Sequence, residues 1–287
     1  MLDNKTKGIL FMLMSSLGFS LMAVSIKYVS GIPLFEKIFF RNLVSLFVAL
    51  WGLRHVGDIS VLLGQKGNRI FLVGRSVFGL LGVITNFYAI AHLPLANANI
   101  LNKLSPFVVL FLSAYFLREK LRKIQVAGFF ISFFGVILII KPTLDFNILP
   151  SLSALASAVF AGAAYTMVRH LGTKRENPNT IVFIFSLISV IGIFPFMMMN
   201  YVQPSFKELM ILLSIGVFAT FGQFGLTYAY KFSKASEVSI YTYSSIIFTV
   251  ILGFIFFGEI PDLLTVIGGI IVTAVAVKLY FVFKEKE

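Results

Sequence analysis

Tyr115-Phe-Leu-Arg-Glu119 and Ile255-Phe-Phe-Gly-Glu259 lie about 140 residues apart, and each sets one glutamate between two long apolar runs. Reading outward in that register, Tyr88-Ala89 falls on Tyr228-Ala229, Ile100 on Ile240, Ser105 on Ser245, Leu112 on Leu252 and Gly128 on Gly268. The identities are few, but a glutamate repeated at one spacing between apolar segments is hard to attribute to composition. Each copy holds five apolar segments, and a repeat with an odd number of membrane spans inserts its second copy upside down. Inverted repeats of this kind are a common architecture of secondary transporters.

Composition supports a membrane chain. Hydrophobic residues make up 58% and charged residues 13% of the 287, against roughly 25% charged in ordinary globular domains. Mean hydropathy is +0.94. Cysteine is absent, which excludes disulfides, thiolate metal sites and cysteine nucleophiles. Apolar stretches near the roughly 20 residues that cross a bilayer recur throughout. They predict helices over 8–29, 35–53, 70–91, 95–117, 122–140, 149–170, 180–200, 208–232, 235–257 and 263–283. Barrel strands would be about 10 residues of alternating polarity, whereas these runs are longer and apolar on every face. The expected fold is therefore all-α and integral to the membrane, with ten transmembrane helices in two inverted five-helix repeats. The repeats cover 1–141 and 147–287, joined by a connector over 142–146 where Pro142 ends the fifth helix. The polar residues 1–7 lead straight into the first apolar run, which reads as a retained helix with no signal peptide.

The net charge of +12 resembles a nucleic-acid signature until the charges are placed. With the N-terminus inside, seventeen of the 24 basic residues fall on the cytoplasmic side, among them Lys5, Lys7, Arg54, Lys66, Arg118, Lys174 and Lys284. That is the positive-inside bias of short loops, and it puts both termini in the cytoplasm. No loop is long enough to form a soluble basic surface, so no nucleic-acid partner is expected.

The third-to-fourth helix passage Phe87-Tyr-Ala-Ile-Ala-His-Leu-Pro-Leu-Ala96, the Leu104-Ser105-Pro106 turn followed by Glu119, and Gly128 with Gly135 in the fifth helix carry a family likeness. Together they resemble the drug/metabolite transporter superfamily, and within it the ten-helix EamA-type carriers. The second half repeats Tyr228-Ala229, Ser245 and Glu259 but has Ile246 where the first has Pro106, and Val275 where it has Gly135. The resemblance covers nearly the whole chain and implies fold and transport. It does not imply a substrate, because such carriers handle amino acids, nucleotide derivatives, sugars, organic acids and drugs. Arg75-Ser-Val-Phe-Gly79 is similar to a branch with proposed organic-anion and S-adenosylmethionine carriers.

Ionisable groups at membrane depth are costly, which makes each one a functional candidate. All four Asp fall in loops or tails, and the eight Glu in loops, tails or helix ends. That distribution disfavours an organic cation as substrate. Three cations lie deeper: Lys103 in the fourth segment, Arg75 in the third and Arg41 in the second. A buried Lys103 can bond carbonyls or snorkel along its stem, but Asn99, Asn102, Lys103 and Pro106 share the i, i+3, i+4, i+7 face of one helix. A polar stripe in a lipid-bound helix should face a cavity. At the 140-residue offset Asn99, Asn102 and Lys103 fall on Ser239, Thr242 and Tyr243, so both fourth-type helices offer polar groups to one site near the pseudo-dyad. Asn86 and Tyr88, with Gln223 and Tyr228 opposite, complete the expected lining. Glu119 and Glu259 read as structural, with Glu119 pairing locally or capping the fifth helix.

The expectation is a secondary carrier for a small anionic or zwitterionic metabolite in the bacterial cytoplasmic membrane, with lipids as its other partners. His55, His92 and His170 do not form a metal-ligand spacing, and no catalytic constellation is present. Neither enzyme activity nor a metal or cofactor is therefore expected. The rivals are an exporter of amino acids or hydrophobic drugs and, from other classes, a membrane receptor or an intramembrane enzyme. Cysteine labelling tests the topology directly. In this cysteine-free chain, Cys placed at Lys141 or Lys207 should react with an impermeant reagent from outside, and Cys at Lys66 or Lys174 should not. The reverse pattern overturns the orientation.

Overall fold

The computed structural model describes residues 3–54, 60–92, 101–140, 148–258 and 260–284. Asn99, Lys141, Glu259 and the expected connector over 142–146 lie outside them. The described helices are α1 (Asn4–Tyr28), α2 (Leu34–Leu53), α3 (Arg69–His92), α4 (Ser105–Phe116), α5 (Lys123–Ile140), α6 (Ile148–Thr173), α7 (Pro178–Met199) and α8 (Phe206–Phe232). They continue with α9 (Ala235–Phe257) and α10 (Leu263–Lys284). No strand occurs among the described residues. Side chains take up free N–H groups where several helices begin. Asp3 accepts from Thr6 N at 3.1 Å, and Asn177 from Asn179 N at 2.9 Å with Pro178 in the first turn. Ser205 and Glu208 form a reciprocal capping box at the start of α8.

Among the described residues, seven helices are long and apolar enough to cross a bilayer, and α4 and α5 are shorter apolar helices. The exterior is apolar, with Ile70, Phe111, Phe130, Ile251 and Ile270 exposed, while Ser15, Ser16, Asn42, Ser45, Arg75 and Gln223 are buried. A protein in water places these two classes the other way round. Hydrocarbon around the molecule accounts for the arrangement.

Two expected helices are interrupted. The fourth does not run unbroken over 95–117. Lys103 and Leu104 form a turn, and α4 proper begins at Ser105. Pro106 explains the break, since it has no N–H to donate and its ring would clash with the carbonyl one turn back, so it belongs in a first turn. Lys103 therefore sits at a helix break, and the face expected to join Asn102, Lys103 and Pro106 is not continuous. The ninth segment opens with the helical turn Ala235–Val238, passes through the 3-10 stretch Ser239–Tyr243 and becomes α-helical only from Ser244. Ile246 there keeps its N–H, so the second interruption has no proline behind it. The loop over 54–69 is not a plain connector either, for it holds the short helix Ser60–Leu63 and the 3-10 turn Lys66–Asn68.

Glu119 acts across the molecule. Its carboxylate accepts from Arg169 Nε at 2.8 Å and from the backbone N–H groups of Ala235 and Ser236 at 3.3 and 3.1 Å. It thus caps the start of α9, where the sequence suggested the fifth helix or its basic neighbours. Negative charge is favourable at that end of the helix dipole.

α1 packs against α8 with almost no side chain between the backbones. A Cβ on Gly225 would stand 2.8 Å from Phe11 O and from Ser15 N, and one on Gly18 would stand 2.8 Å from Gly222 N. Ser15 Oγ donates to Gly222 O at 2.7 Å in the same seam. Small residues permit this approach where lipid removes the hydrophobic drive between helices. Gly225→Val should lower the stability of the purified protein by about 1–3 kcal/mol, read as a fall in Tm in detergent. Gly31→Ala, where an added Cβ meets nothing within 4 Å, should stay within about 0.5 kcal/mol.

Candidate functional site

Arg75 lies on the second turn of α3, inside the molecule, where a guanidinium must find partners or a ligand. It is only 2% exposed. Its Nη2 donates to Gln223 Oε1 of α8 at 2.9 Å, and its Cζ stands 3.7 Å from the ring centroid of Phe185 on α7. Gly79, one turn further along α3, makes the room, since a Cβ there would meet Arg75 Nη1 at 2.5 Å and Phe185 Cε2 at 2.9 Å. Among the described residues the buried Nε of Arg75 has no hydrogen-bond partner, and the same holds for Asn86 Oδ1. Buried polar atoms of this kind normally bind protein, water or ligand.

Arg41 of α2 is also buried. Its Nη1 donates to Asn42 Oδ1 at 3.3 Å, and Asn42 Nδ2 donates to Ile38 O at 2.9 Å. Arg41 and Arg75 act on one another electrostatically, and both act on the Tyr165 phenol of α6. Lys103 is held from another direction. Its Nζ donates to Ser245 Oγ at 2.8 Å, and that hydroxyl in turn donates to Thr242 O at 2.8 Å. Tyr243 Oη donates to Lys103 O at 3.2 Å. Every named partner of the three cations is neutral.

These side chains converge on one cavity of about 260 Å³, reached by α1, α2, α3, α4, α6, α7, α8, α9 and the turn at Lys103. Of the residues singled out in the sequence, Arg41, Arg75, Asn86, Asn102, Lys103, Gln223 and Thr242 line it. Asn102 Nδ2 also donates to Ser157 Oγ at 3.0 Å. Ser239 and Tyr243 are fully buried behind the lining. Tyr88 and Tyr228 sit elsewhere: Tyr88 is partly exposed and stacks on His92 with ring centroids 4.3 Å apart, and Tyr228 stacks on Phe11 at 5.1 Å. Asn99 is outside the described residues. Sequence reasoning passed over Ser15, Ser16, Tyr165 and Ser245, all of which line the cavity. The signals were present, in an adjacent serine pair inside the first apolar run and in the repeat match of Ser245 with Ser105.

Among the described residues no carboxylate lines this cavity, and no three His, Cys, Asp or Glu gather as metal ligands. Three cations facing a low-dielectric space attract anions strongly, and nothing in the lining neutralises them. The arrangement is suited to holding a small anion by charge and hydrogen bonds.

A profile of the EamA-like transporter family matches residues 6–141 and again 149–281. A pseudopaline exporter of Pseudomonas aeruginosa is 34% identical over 281 residues, covering 97% of each chain. An S-adenosylmethionine uptake transporter of Rickettsia prowazekii is 25% identical, covering 100% of this chain and 96% of that one. A solved crystal structure superposes with a TM-score of 0.83 at 17% identity, covering 99% of both chains, a likeness of fold alone.

The geometry around Arg75 predicts a functional effect larger than a structural one for Gly79→Ala. The new methyl meets the guanidinium end and the Phe185 ring, both of which can swing away, so folding should survive with a Tm shift of a few degrees. The displaced cation should lower substrate affinity about tenfold, close to 1.4 kcal/mol. Ligand titration and thermal melting of the same purified variant check both parts.

Proposed function

The chain belongs to the EamA-like transporter family, whose members are transporters and not enzymes, and on that premise we propose that it is a secondary carrier moving a small anionic or zwitterionic metabolite by alternating access. The observation that carries this reading is the cavity where Arg41, Arg75 and Lys103 converge with no carboxylate among the described lining residues. Lys103 and Arg75 neutralise the anionic group, while Asn86, Asn102, Gln223 and Thr242 orient the rest. The 34% identity to a pseudopaline exporter and the 25% identity to an S-adenosylmethionine carrier support a metabolite as cargo.

The proposed architecture is ten spans in two inverted five-helix repeats, 1–141 and 147–287, with a connector over 142–146 and both termini in the cytoplasm. Reciprocal packing supports it. The contact of α1 with α8 is matched by that of α6 with α3, that of α1 with α9 by α6 with α4, and that of α2 with α8 by α7 with α3. The pairs α5 with α10 and α2 with α7 are their own counterparts. A two-fold axis relating the halves requires this exchange of roles. The breaks before α4 and within α9 fall at corresponding positions beside the cavity, as in carriers whose discontinuous helices hold substrate near mid-membrane. Lys103, Ser245 and Tyr243 join the two broken segments, so a substrate that takes the ammonium from Ser245 acts directly on the seam between the halves. A bacterial cytoplasmic membrane suits the bacterial relatives.

Lys103→Ala tests the assignment. In proteoliposomes it should reduce anion flux severely, by about 10- to 1000-fold in affinity, because a charge-assisted hydrogen bond is lost and the substrate anion is left unpaired. Lys103→Arg should keep part of the activity, since charge persists while geometry changes. A folded Lys103→Ala protein with unchanged flux and unchanged preference for anions overturns the reading in favour of an exporter of neutral or hydrophobic molecules.

A further inference from the structure

The three cations of the one cavity are held by two different sets of partners. Arg41 and Arg75 belong to the side built by α2, α3, α7 and α8. Arg75 is tied there to Gln223 and Phe185, and Ser45 bonds Thr220 at 2.8 Å between α2 and α8. Lys103 belongs to the side built by α1, α4 and α9. Ser245 holds its ammonium, Ser20 of α1 donates to Ser245 O at 2.8 Å, and Ser16 donates to Tyr241 O at 3.3 Å. Each side thus has its own neutral scaffold of hydrogen bonds.

Building on the carrier reading above, we infer that the substrate bears two anionic groups, one received by Arg75 and Arg41 and the other by Lys103. A cation inside a membrane protein needs a compensating charge or water. A monoanion would satisfy one side of the cavity and leave the other uncompensated each time the carrier occludes its load. A dianion spanning both sides gives each side a counter-charge and lowers the net charge of the three cations from +3 to +1. The volume of about 260 Å³ lies just under the roughly 300–1,000 Å³ of small-molecule pockets, which suits a small metabolite. The ligand is therefore a compact dicarboxylate or a zwitterion with two carboxylates.

The test uses the full-length carrier in detergent and in proteoliposomes. Succinate, glutarate, aspartate and glutamate are set against butyrate, valerate and norvaline as probes of matched length. Thermal stabilisation and inhibition of counterflow are the readouts. The probes with two carboxylates should bind at least tenfold more tightly than the counterparts with one. Arg75→Gln and Lys103→Gln should each erase that advantage, and Arg75→Lys and Lys103→Arg should restore part of it, which separates charge pairing from damage to the fold. If mono- and dicarboxylates bind and exchange equally well, the two-anion inference is overturned and the anion carrier stands. If no anion of either kind binds while neutral amino acids or hydrophobic amines are moved, the anion reading itself falls. An advantage for dicarboxylates that persists in both Gln variants also overturns the inference, because the second anionic group would then be bound elsewhere.

Discussion

Arg41, Arg75 and Lys103 are held inside a molecule whose outer surface is apolar, and much of the interior is arranged to keep them there. Nothing in hydrocarbon solvates a guanidinium or an ammonium, so each cation draws its partners from helices other than its own or from the next residue in the chain: Gln223 and Phe185 for Arg75, Ser245 for Lys103, Asn42 for Arg41. All of these partners are neutral. They fix position without cancelling charge, and an attraction for anions remains in the cavity.

Close backbone approach makes this enclosure possible. Gly18, Gly222 and Gly225 bring α1 onto α8, and the backbones of Gly135 and Gly268 bring α5 onto α10. The cavity lies beside the two broken segments, with Lys103, Thr242 and Ser245 in its lining. The carboxylate of Glu119 supports the opposite end of α9 by meeting Arg169 and the Ala235 and Ser236 N–H groups together. Glu119 thus stays out of the cavity and steadies a helix that reaches it.

The sequence was most informative where chemistry contrasts with surroundings. Lys103, Arg75 and Arg41 stand out from apolar neighbours, and all three face the cavity. It was least informative about rotational phase. When lipid is the solvent, an apolar helix carries no polar outer face, so hydrophobic periodicity does not say which way Tyr88 or Tyr228 points. The break before α4 was legible in Pro106, whose missing N–H rules out a helix interior. The 3-10 stretch Ser239–Tyr243 has no such mark, because its conformation depends on bonds such as Tyr243 to Lys103 O that only the folded molecule makes. The partners of Glu119 were hidden for the same reason, lying 50 and 116 residues away.

The serines of α1 bear on how such a chain is made. Ser15 bonds Gly222, Ser16 bonds Tyr241 and Ser20 bonds Ser245, at sequence separations of 207, 225 and 225 residues. α1 therefore finds these partners only after more than 200 further residues have been synthesised. Until then its hydroxyls must bond back along their own helix, as Ser20 does to Ser16 O at 2.9 Å. Insertion of α1 therefore precedes its packing onto these partners. Quality control in the cell has its longest view of the chain at that stage, before the late helices arrive to close it.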